Sequence, residues 1–281
     1  MKYLIVSADD LGLSESINRG IIKSFEEGIV TNLNMIPSGG AFYDAAALLR
    51  TVKPKEIGAH LALTETSPVS LVETVPALTT RDGRFHKSYP EFLPRLILKR
   101  IDGGQIYAEL KNQMERLKTL GIPITNLSSH QHIHMLPGIL KLFVKLAKEY
   151  NVPSIRCLHG DSLRYPYSLK RIYRRCIMEY FDMGVRRALD NASIRHTGSF
   201  LGFLDGGNIR EELLMKMLDN LPEGTTELVA HPGFISAEVL DRCIFHRNCE
   251  TDLAALTSRR VKKAIADKGI KLITFGEFAK L

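Results

Sequence analysis

Two adjacent carboxylates, Asp9 and Asp10, follow the apolar run at residues 3–7, which is typical of a buried β-strand. In parallel α/β folds the carboxyl ends of the strands carry the functional site. Neighbouring carboxylates repel each other and lose solvation when they are buried, so a cation or a proton must compensate their charge. The plain structural alternative is that one Asp caps the next helix while the other is solvated.

Histidines supply the partners that these carboxylates would need. His130, His132 and His134 alternate within residues 128–137, and in an extended backbone this spacing places all three rings on one face. Three imidazoles side by side give no packing advantage over aliphatic side chains, whereas imidazole is the commonest metal ligand among side chains. The cluster therefore predicts a metal site.

Two further histidines lie at the ends of predicted strands. His60 lies in the strand-like run 57–63, and His231 follows the strand at 226–230. Taken singly, His60 has the alternative of a buried core histidine and His231 that of a turn residue. Taken together, the ends of strands one, three, four and seven each bring an Asp or a His to one rim.

That set of side chains fits one kind of chemistry. Two histidines and one carboxylate with open positions form the ligand set of a hydrolytic metal centre. A second carboxylate beside them can act as a general base, and the remaining histidine can protonate a leaving group. The chain has no GxSxG, GxGxxG or GxxxxGK[ST] motif, so we expect neither covalent catalysis nor a nucleotide cofactor.

Short β-rich runs alternate with helical patterns along the whole chain. Further strands are predicted at 29–36, 123–128, 153–158, 194–197 and 271–274, and helices at 15–27, 41–52, 105–119, 138–149, 168–189, 210–219 and 251–267. Seven or eight such units in series predict an α/β fold with a parallel sheet closed as a barrel, or failing that an open doubly wound sheet. No linker divides residues 1–281, and the turn-rich stretch 64–104 predicts a long loop or lid over the site.

Composition limits the class of protein. Hydrophobic residues make up 44% and charged residues 25% of the 281 residues, which excludes a disordered, fibrous or coiled-coil protein. The net charge of +7 comes without a basic run interleaved with aromatics, so we expect no nucleic-acid partner. Cys157, Cys176, Cys243 and Cys249 show no paired spacing, and no apolar run is long enough for a signal peptide or a membrane span. These features predict a cytoplasmic protein with reduced thiols.

The sequence resembles the YdjC-like carbohydrate deacetylases, which include chitooligosaccharide deacetylases. The resemblance covers almost the whole chain and rests on Ala8–Gly12, Gly58–Thr64, Ser129–His134 and Ala230–Pro232. Within this family the chain is most similar to the hopanoid-biosynthesis-associated HpnK branch, in the stretches 200–203 and 253–257. The resemblance implies a TIM-like (β/α) barrel that removes acetyl from an N-acetylated amino sugar and releases acetate.

The resemblance also implies a cofactor. Asp10, His60 and His130 would bind one divalent metal ion. Magnesium and zinc are the first candidates, and manganese, cobalt and nickel are compatible with an open site.

Roles for the remaining residues follow from the same resemblance. Asp9 would be the general base and His231 the general acid, while His132 and His134 would line the substrate pocket. Arg156 would bind substrate or pair with Asp9 and keep the pKa of that carboxyl low, and the alternative is that it only packs.

Other functions and partners stay open at this point. The chain could be another mononuclear metal hydrolase of the amidohydrolase or phosphoesterase type, or a catalytically silent sugar-binding protein. The acceptor is an oligosaccharide or a glycolipid containing N-acetylglucosamine, and a homodimer is compatible with the sequence. The basic segment 164–187 is either a solvated helix face or a surface that docks on lipid or a lipid-carried glycan at the inner membrane.

Overall fold

The computed structural model describes residues 1–98, 100–160, 169–242 and 244–281. Cys243 and residues 164–168 of the predicted basic segment therefore lie outside the described residues, as do the side chains of Lys170, Arg171 and Arg174.

Strands and helices alternate through the described residues. The strands are β1 (Lys2–Leu11), β2 (Asn32–Met35), β3 (Ile57–Leu61), β4 (Ile124–Ser129), β5 (Ser154–Ile155), β6 (Ser199–Leu201), β7 (Gly224–Ala230) and β8 (Lys271–Leu272). The α-helices are α1 (Glu15–Glu27), α2 (Phe42–Val52), α3 (Tyr89–Ile97), α4 (Gly103–Lys118), α5 (Pro137–Glu149), α6 (Leu169–Ala192), α7 (Glu211–Asp219), α8 (Ala237–Arg242), α9 (Cys249–Thr257), α10 (Arg259–Asp267) and α11 (Phe275–Phe278). Short 3₁₀ helices lie at Val72–Thr74, His130–Met135 and Ile244–Asn248.

The strands form one parallel sheet in the order β5-β4-β3-β2-β1-β7-β6, and β8 pairs with the first residues of β1. The backbone of Arg195, on the chain that enters β6, bonds to Ile155 N and Pro153 O, each at 3.0 Å. These bonds join the two edges of the sheet, which therefore curls round on itself. The fold is the predicted TIM-like (β/α) barrel rather than the alternative open sheet.

Two predicted elements are wrong in their bounds. The sixth strand lies at Ser199–Leu201 and not at 194–197, because Ser199 pairs with Thr226 of β7 whereas the earlier residues make only an isolated bridge to β5. The helix predicted at 251–267 is two helices. Ser258 has an extended backbone between them, and its hydroxyl caps the start of α10.

The interior of the barrel below the strand ends is polar. Asn34 Nδ2 donates to Asp9 at 2.6 Å, and Asn34 Oδ1 accepts from Asn126 at 3.1 Å. A Cβ atom at Gly58 would lie 1.8 Å from Asn34 Oδ1 and 2.4 Å from Asn126 Oδ1, so only glycine fits there. Since buried polar groups must be paired, this network fixes the side chains that underlie the rim.

The basic residues of α6 that the structure describes are mostly paired with acidic residues of the same helix. Arg175 contacts Glu179, and Arg186 Nε lies 2.9 Å from Asp182 Oδ2. Among the described residues, no helix combines the length and the apolar character that crossing a bilayer requires.

The segment at 64–104 is ordered as a wall of the barrel mouth. Side chains of α4 hold its backbone: Glu109 accepts from the amides of Val69 and Ser70, and Gln105 accepts from Ala77 N, all at 2.9 Å. Its role as a lid stays a prediction.

Candidate active site

A cavity of about 530 Å³ opens at the carboxyl ends of the strands. Its lining includes six of the side chains singled out from the sequence, namely Asp9 and Asp10 from β1, His60 from β3, His130 and His132 after β4 and His231 after β7. The structure thus brings to one rim the residues that the strand-end argument placed there.

Both carboxylates of the Asp pair reach this cavity because β1 is irregular at its end. The pairing of β1 with β2 shifts register between Ala8 and Leu11, and Asp10 has a φ of 75°. In a regular strand, successive side chains point to opposite faces. The bulge turns Asp10 back toward the face that Asp9 occupies, and Asp is among the residues that tolerate positive φ best.

Three side chains converge on a common point. His130 Nδ1 lies 2.9 Å and His60 Nε2 lies 3.4 Å from Asp10 Oδ1. One ligand atom from each residue lies within 4.8 Å of the other two. Burial lowers the pKa of His60 to about 4, so its ring is neutral and can offer a lone pair. Burial disfavours the charged form of His130 as well, but the carboxylates on both sides raise its pKa to about 10.

The outer ring nitrogens are held by hydrogen bonds that suit metal ligation. Ser128 Oγ donates to Ala59 O at 3.4 Å and can therefore accept from His60 Nδ1, which lies 2.7 Å away. His130 Nε2 lies 2.8 Å from Glu65 Oε2 and donates to it. With the outer nitrogen of each ring bonded to the protein, the inner nitrogen faces Asp10. This arrangement orients histidine ligands around a metal. The donor set fits a divalent cation.

His246 is a fourth imidazole at this centre. It lies in the 3₁₀ helix Ile244–Asn248, is 1% exposed, and its Nε2 lies 2.8 Å from Asp10 Oδ2. Because a carboxylate only accepts, His246 Nε2 donates to it, while His246 Nδ1 has no hydrogen-bond partner among the described residues. His246 therefore holds one oxygen of Asp10 and leaves the other facing His60 and His130.

Asp9 belongs to a buried ion-pair network beside this centre, and its Oδ2 lies 3.6 Å from His60 Nε2. Arg156 Nη1 and Nη2 donate to the two oxygens of Asp9 at 2.6 and 2.9 Å, and Arg156 Nη2 also donates to Glu227 at 2.8 Å. Burial alone would raise the pKa of Asp9, but Arg156 holds it well below its usual value. Arg156 is 1% exposed and lies behind Asp9 rather than in the cavity lining, so the structure shows the predicted pairing with Asp9, and contact with substrate stays a prediction.

The histidine cluster does not have the extended backbone that its spacing predicts. Residues His130–Met135 form a 3₁₀ turn, in which Gln131 and His132 have φ values of 54° and 55°. The three rings consequently point in different directions, and the expectation that they share one face is wrong. Consecutive non-glycine residues in the left-handed region are strained, and such strain concentrates at functional sites.

His132 and His134 have different surroundings. His132 lines the cavity, with its ring centroid 5.6 Å from that of Phe203. His134 is fully buried and outside the cavity lining, because its Nδ1 bonds to Ser129 Oγ at 2.6 Å and its Nε2 to Arg156 O at 3.1 Å. Burial lowers the pKa of His134 to about 3, so it is a neutral support for the turn and for the backbone of Arg156.

His231 sits at the end of β7 under an aromatic ring. Its ring packs edge to face against Phe245 at 4.8 Å, and its backbone N donates to Asp252 Oδ2 at 2.9 Å. Burial lowers the pKa of His231 to about 4, and its Nδ1 has no partner among the described residues. His231 thus offers a neutral imidazole to the cavity.

Three contributors were missed from the sequence. Glu65 lies five residues beyond His60 in a turn with a φ of 69°, and no spacing rule connects it with His130. His246 and Asp252 lie in helical segments rather than at strand ends, so the strand-end argument could not reach them. The one available signal for His246 is that it is a histidine in a run of polar and aromatic residues, which is too general to select it.

A curled parallel sheet with carboxylates and imidazoles at the carboxyl ends of its strands is the arrangement of (β/α)-barrel enzymes. Residues 3–267 match the family model described as YdjC-like protein. The chain belongs to this family. It is 30% identical over 275 residues to a carbohydrate deacetylase of Brevibacillus brevis, with 98% of each chain covered. It is also 30% identical over 283 residues to a chitooligosaccharide deacetylase of Serratia marcescens, again with 98% of each covered.

A solved structure shares the fold over its full length. It is that of a putative cellobiose-phosphate cleavage protein from Enterococcus faecalis, at a TM-score of 0.79 and 24% identity, with 99% of this chain and 98% of that chain covered. At this identity the likeness shows a shared fold.

Proposed function

We propose that this chain is a metal-dependent hydrolase that removes the acetyl group from an N-acetylated amino sugar and releases acetate. The observation that carries the proposal is the convergence of Asp10, His60 and His130 beside a second, arginine-paired carboxylate, Asp9. A ligand set next to an independent base is what metal-assisted hydrolysis of an amide requires. Relatives that are carbohydrate and chitooligosaccharide deacetylases support the choice of substrate.

Asp10, His60 and His130 would hold one divalent ion. When bound, such an ion polarises the acetyl carbonyl and lowers the pKa of a coordinated water. Two imidazoles and a carboxylate suit zinc, and magnesium, manganese, cobalt or nickel are compatible. Glu65 and Ser128 would keep the two rings in place through their outer nitrogens.

Asp9 would act as the general base. Arg156 keeps it ionised, and Asn34 Nδ2 donates to the same carboxylate at 2.6 Å, so its orientation is fixed before substrate arrives. The carboxylate takes a proton from the attacking water. Placing such a base in advance contributes on the order of 10²–10⁴ in rate.

His231 would serve the leaving group. The amine nitrogen must gain a proton before the C–N bond breaks, and His231 is a cavity-lining imidazole outside the ligand set. Its ring is neutral at rest because burial lowers its pKa to about 4. Negative charge that develops on the reacting amide raises the proton affinity of a neighbouring imidazole, so His231 would take up the proton that Asp9 removed from the attacking water and pass it to the leaving nitrogen.

A phosphoesterase with two metals finds no comparable support. A second group of side chains with metal-ligand spacing consists of His159, Glu179 and Asp182. His159 Nδ1 lies 2.9 Å from Glu179 Oε1 and 3.7 Å from Asp182 Oδ2. Its carboxylates are already paired with Arg175 and Arg186. A cation would have to displace both arginines.

The proposed substrate is an oligosaccharide or a glycolipid that contains N-acetylglucosamine, the two classes predicted from the sequence. The wall of the cavity that includes Met135 and Phe181 is apolar, and the same two side chains also line a further groove of about 480 Å³ between α5 and α6. This continuation favours a substrate with an apolar part, such as a lipid-linked glycan, alongside a soluble oligosaccharide. Cytoplasmic location, peripheral lipid contact and a homodimer stay predictions from the sequence.

Acetate release tests the proposal. Metal-loaded protein is incubated with N,N′-diacetylchitobiose and with an N-acetylglucosaminyl lipid, and acetate and free amine are measured together. We expect equal amounts of both products from at least one substrate, and none from His60→Ala or His130→Ala protein that is shown to be folded. Absence of acetate with both substrates at full metal loading would refute the proposed function.

A further inference from the structure

A second cleft, of about 260 Å³, adjoins the active-site cavity. Glu65 lines both spaces: its carboxylate bonds to His130 Nε2 at 2.8 Å, and its backbone O accepts from Arg84 Nη2 at 3.2 Å on the side of the cleft. A ligand that occupied both spaces would therefore pass directly over a side chain that supports the proposed metal site. We call the space lined by Ser38, Gly40, Thr66, Arg84, Arg116 and Glu238 the polar cleft.

The side chain of Arg116 is held in position at the polar cleft before any ligand binds. Arg116 lies on α4, and its guanidinium carbon lies 4.2 Å from the ring centroid of Phe42 and 5.1 Å from that of Tyr43. These two aromatic rings of α2 therefore hold the guanidinium in place. No carboxylate of the described residues forms an ion pair with it. A stacked guanidinium loses little conformational freedom when it binds, and its remaining N–H donors are available to a ligand.

The other groups of the polar cleft indicate what that ligand is. Hydroxyls of Ser38 and Thr66 lie 2.8 Å apart and can each donate or accept. The lining also has the guanidinium groups of Arg84 and Arg116 and the carboxylate of Glu238, whereas the carboxylate of Glu65 is turned to His130 and Gln131. Sugar hydroxyls both donate and accept, so they can use the hydroxyls, the guanidinium donors and the Glu238 carboxylate together, whereas an anion only accepts and would leave Glu238 without a donor.

We propose that the polar cleft binds the sugar unit next to the one that is deacetylated, with Arg116 as its principal hydrogen-bond donor. This inference rests on the proposed function for the identity of the reacting unit. It assigns to the chain a specificity for substrates of at least two sugar units, with Glu65 at the junction between the two binding spaces.

Two variants change the polar cleft in different ways. Arg116→Gln removes the charge and most of the donors. Gly40→Leu fills space, since a Cβ atom at Gly40 would meet only Leu13 O, 3.8 Å away. Arg50→Gln is the matched control, because Arg50 is exposed on α2 and does not line the cleft. Thermal melting of each variant shows that it is folded.

Turnover of N,N′-diacetylchitobiose by metal-loaded protein gives the first readout. Loss of a charged hydrogen-bond donor to the second sugar should lower kcat/KM about tenfold in Arg116→Gln, mainly through KM. Gly40→Leu should show a similar loss and Arg50→Gln none. Unchanged KM in both folded cleft variants would overturn the proposal.

Binding gives a readout that does not depend on turnover. In the Asp9→Asn background, calorimetry with N,N′-diacetylchitobiose should show a Kd about tenfold weaker when Arg116→Gln is added. If wild-type protein releases no acetate but this loss of binding is seen, the proposed function fails and the polar cleft stands. If acetate is released and the Kd is unchanged by Arg116→Gln, the polar cleft fails alone.

Discussion

Asp10 uses its two oxygens for different purposes. Oδ1 faces the inner nitrogens of His60 and His130, whereas Oδ2 accepts from His246 at 2.8 Å. A carboxylate that is fixed in this way does not have to lose rotational freedom when a cation binds. At the scale of single residues, the proposed metal site therefore depends on a side chain that is not one of its proposed ligands.

Replacing His246 should weaken metal binding without removing a ligand. We expect His246→Leu, which has no donor for Asp10, to lower the affinity for zinc by about 10–100-fold, the usual effect of losing a hydrogen bond to a metal ligand. The control is His196→Leu, which removes a similar contact of a histidine with Asp190 away from the site. Calorimetric titration with zinc measures both, and an affinity equal to that of the wild type in His246→Leu would rule out this role.

Asp9→Asn should separate base catalysis from metal binding. Asn34 and Arg156 both donate to Asp9 in the wild type. In Asp9→Asn the new NH₂ group would therefore face a donor, but the new amide oxygen still accepts one bond. The proposed metal ligands are untouched. We expect kcat to fall by about 10²–10⁴ while bound metal stays at the wild-type level. Asp267→Asn, at an exposed position, is the control. Loss of metal from Asp9→Asn, with activity restored by excess ion, would instead place Asp9 among the ligands.

At the scale of elements, the turn His130–Met135 connects the proposed metal site with the wall of the cavity. The side-chain amide of Gln131 holds this turn in place through two hydrogen bonds. Gln131 Nε2 donates to Glu65 at 3.1 Å, and Gln131 Oε1 accepts from Tyr89 N at 2.7 Å. The start of α3 is therefore tied to the turn that carries His130. Loosening this clamp should affect order in the wall before it affects the barrel.

Gln131→Met should expose the Tyr89 amide to exchange. The thioether has nearly the same length but cannot accept the bond from Tyr89 N, so we expect the hydrogen-exchange protection of that amide to fall at least tenfold. Gln105→Met is the matched control, since Gln105 Oε1 holds Ala77 N in the same manner. It should release Ala77 and leave Tyr89 protected. Equal protection of Tyr89 in Gln131→Met and wild type would show that the clamp is not what orders this wall.

Elements that carry a strong local signal were predictable, and those set by tertiary contacts were not. The helix predicted at 15–27 is α1, because the Ser14 hydroxyl accepts from Ile17 N at its start and the helix ends before Gly28. The bulge at Asp10 and the left-handed residues Gln131 and His132 have no signature in residue type, since only glycine announces positive φ reliably. The sequence therefore indicated which strand ends meet but not the directions of the side chains on them.

At the scale of the whole molecule, distant parts of the chain hold the proposed acid. Asp252 on α9 accepts from Ile209 N at 2.7 Å and from His231 N at 2.9 Å, which joins the ends of β7 and the loop before α7. Burial raises the pKa of Asp252 from 3.8 to about 6, although both backbone bonds oppose the shift. The native state thus binds this proton more tightly than the unfolded chain does.

This shift predicts a pH dependence of stability. The contribution of Asp252 is fully present below its unfolded pKa of 3.8 and is lost as pH rises through about 6. A shift of about two units corresponds to roughly 3 kcal/mol, so the wild type's free energy of unfolding relative to Asp252→Asn should fall by up to about that amount between about pH 4 and pH 7.5. Urea denaturation at both pH values measures it. A difference that is constant or rises with pH would contradict the shift.

The central claim is that one metal ion at Asp10, His60 and His130 makes this barrel a sugar deacetylase. The most direct test is to strip the protein of metal and to measure acetate release from N,N′-diacetylchitobiose as zinc is returned in known amounts. We expect no release from the stripped protein and a linear rise that reaches its plateau at one bound ion per chain. Full acetate release by protein that is shown to be free of metal, or metal loading without any acetate release, would contradict the account.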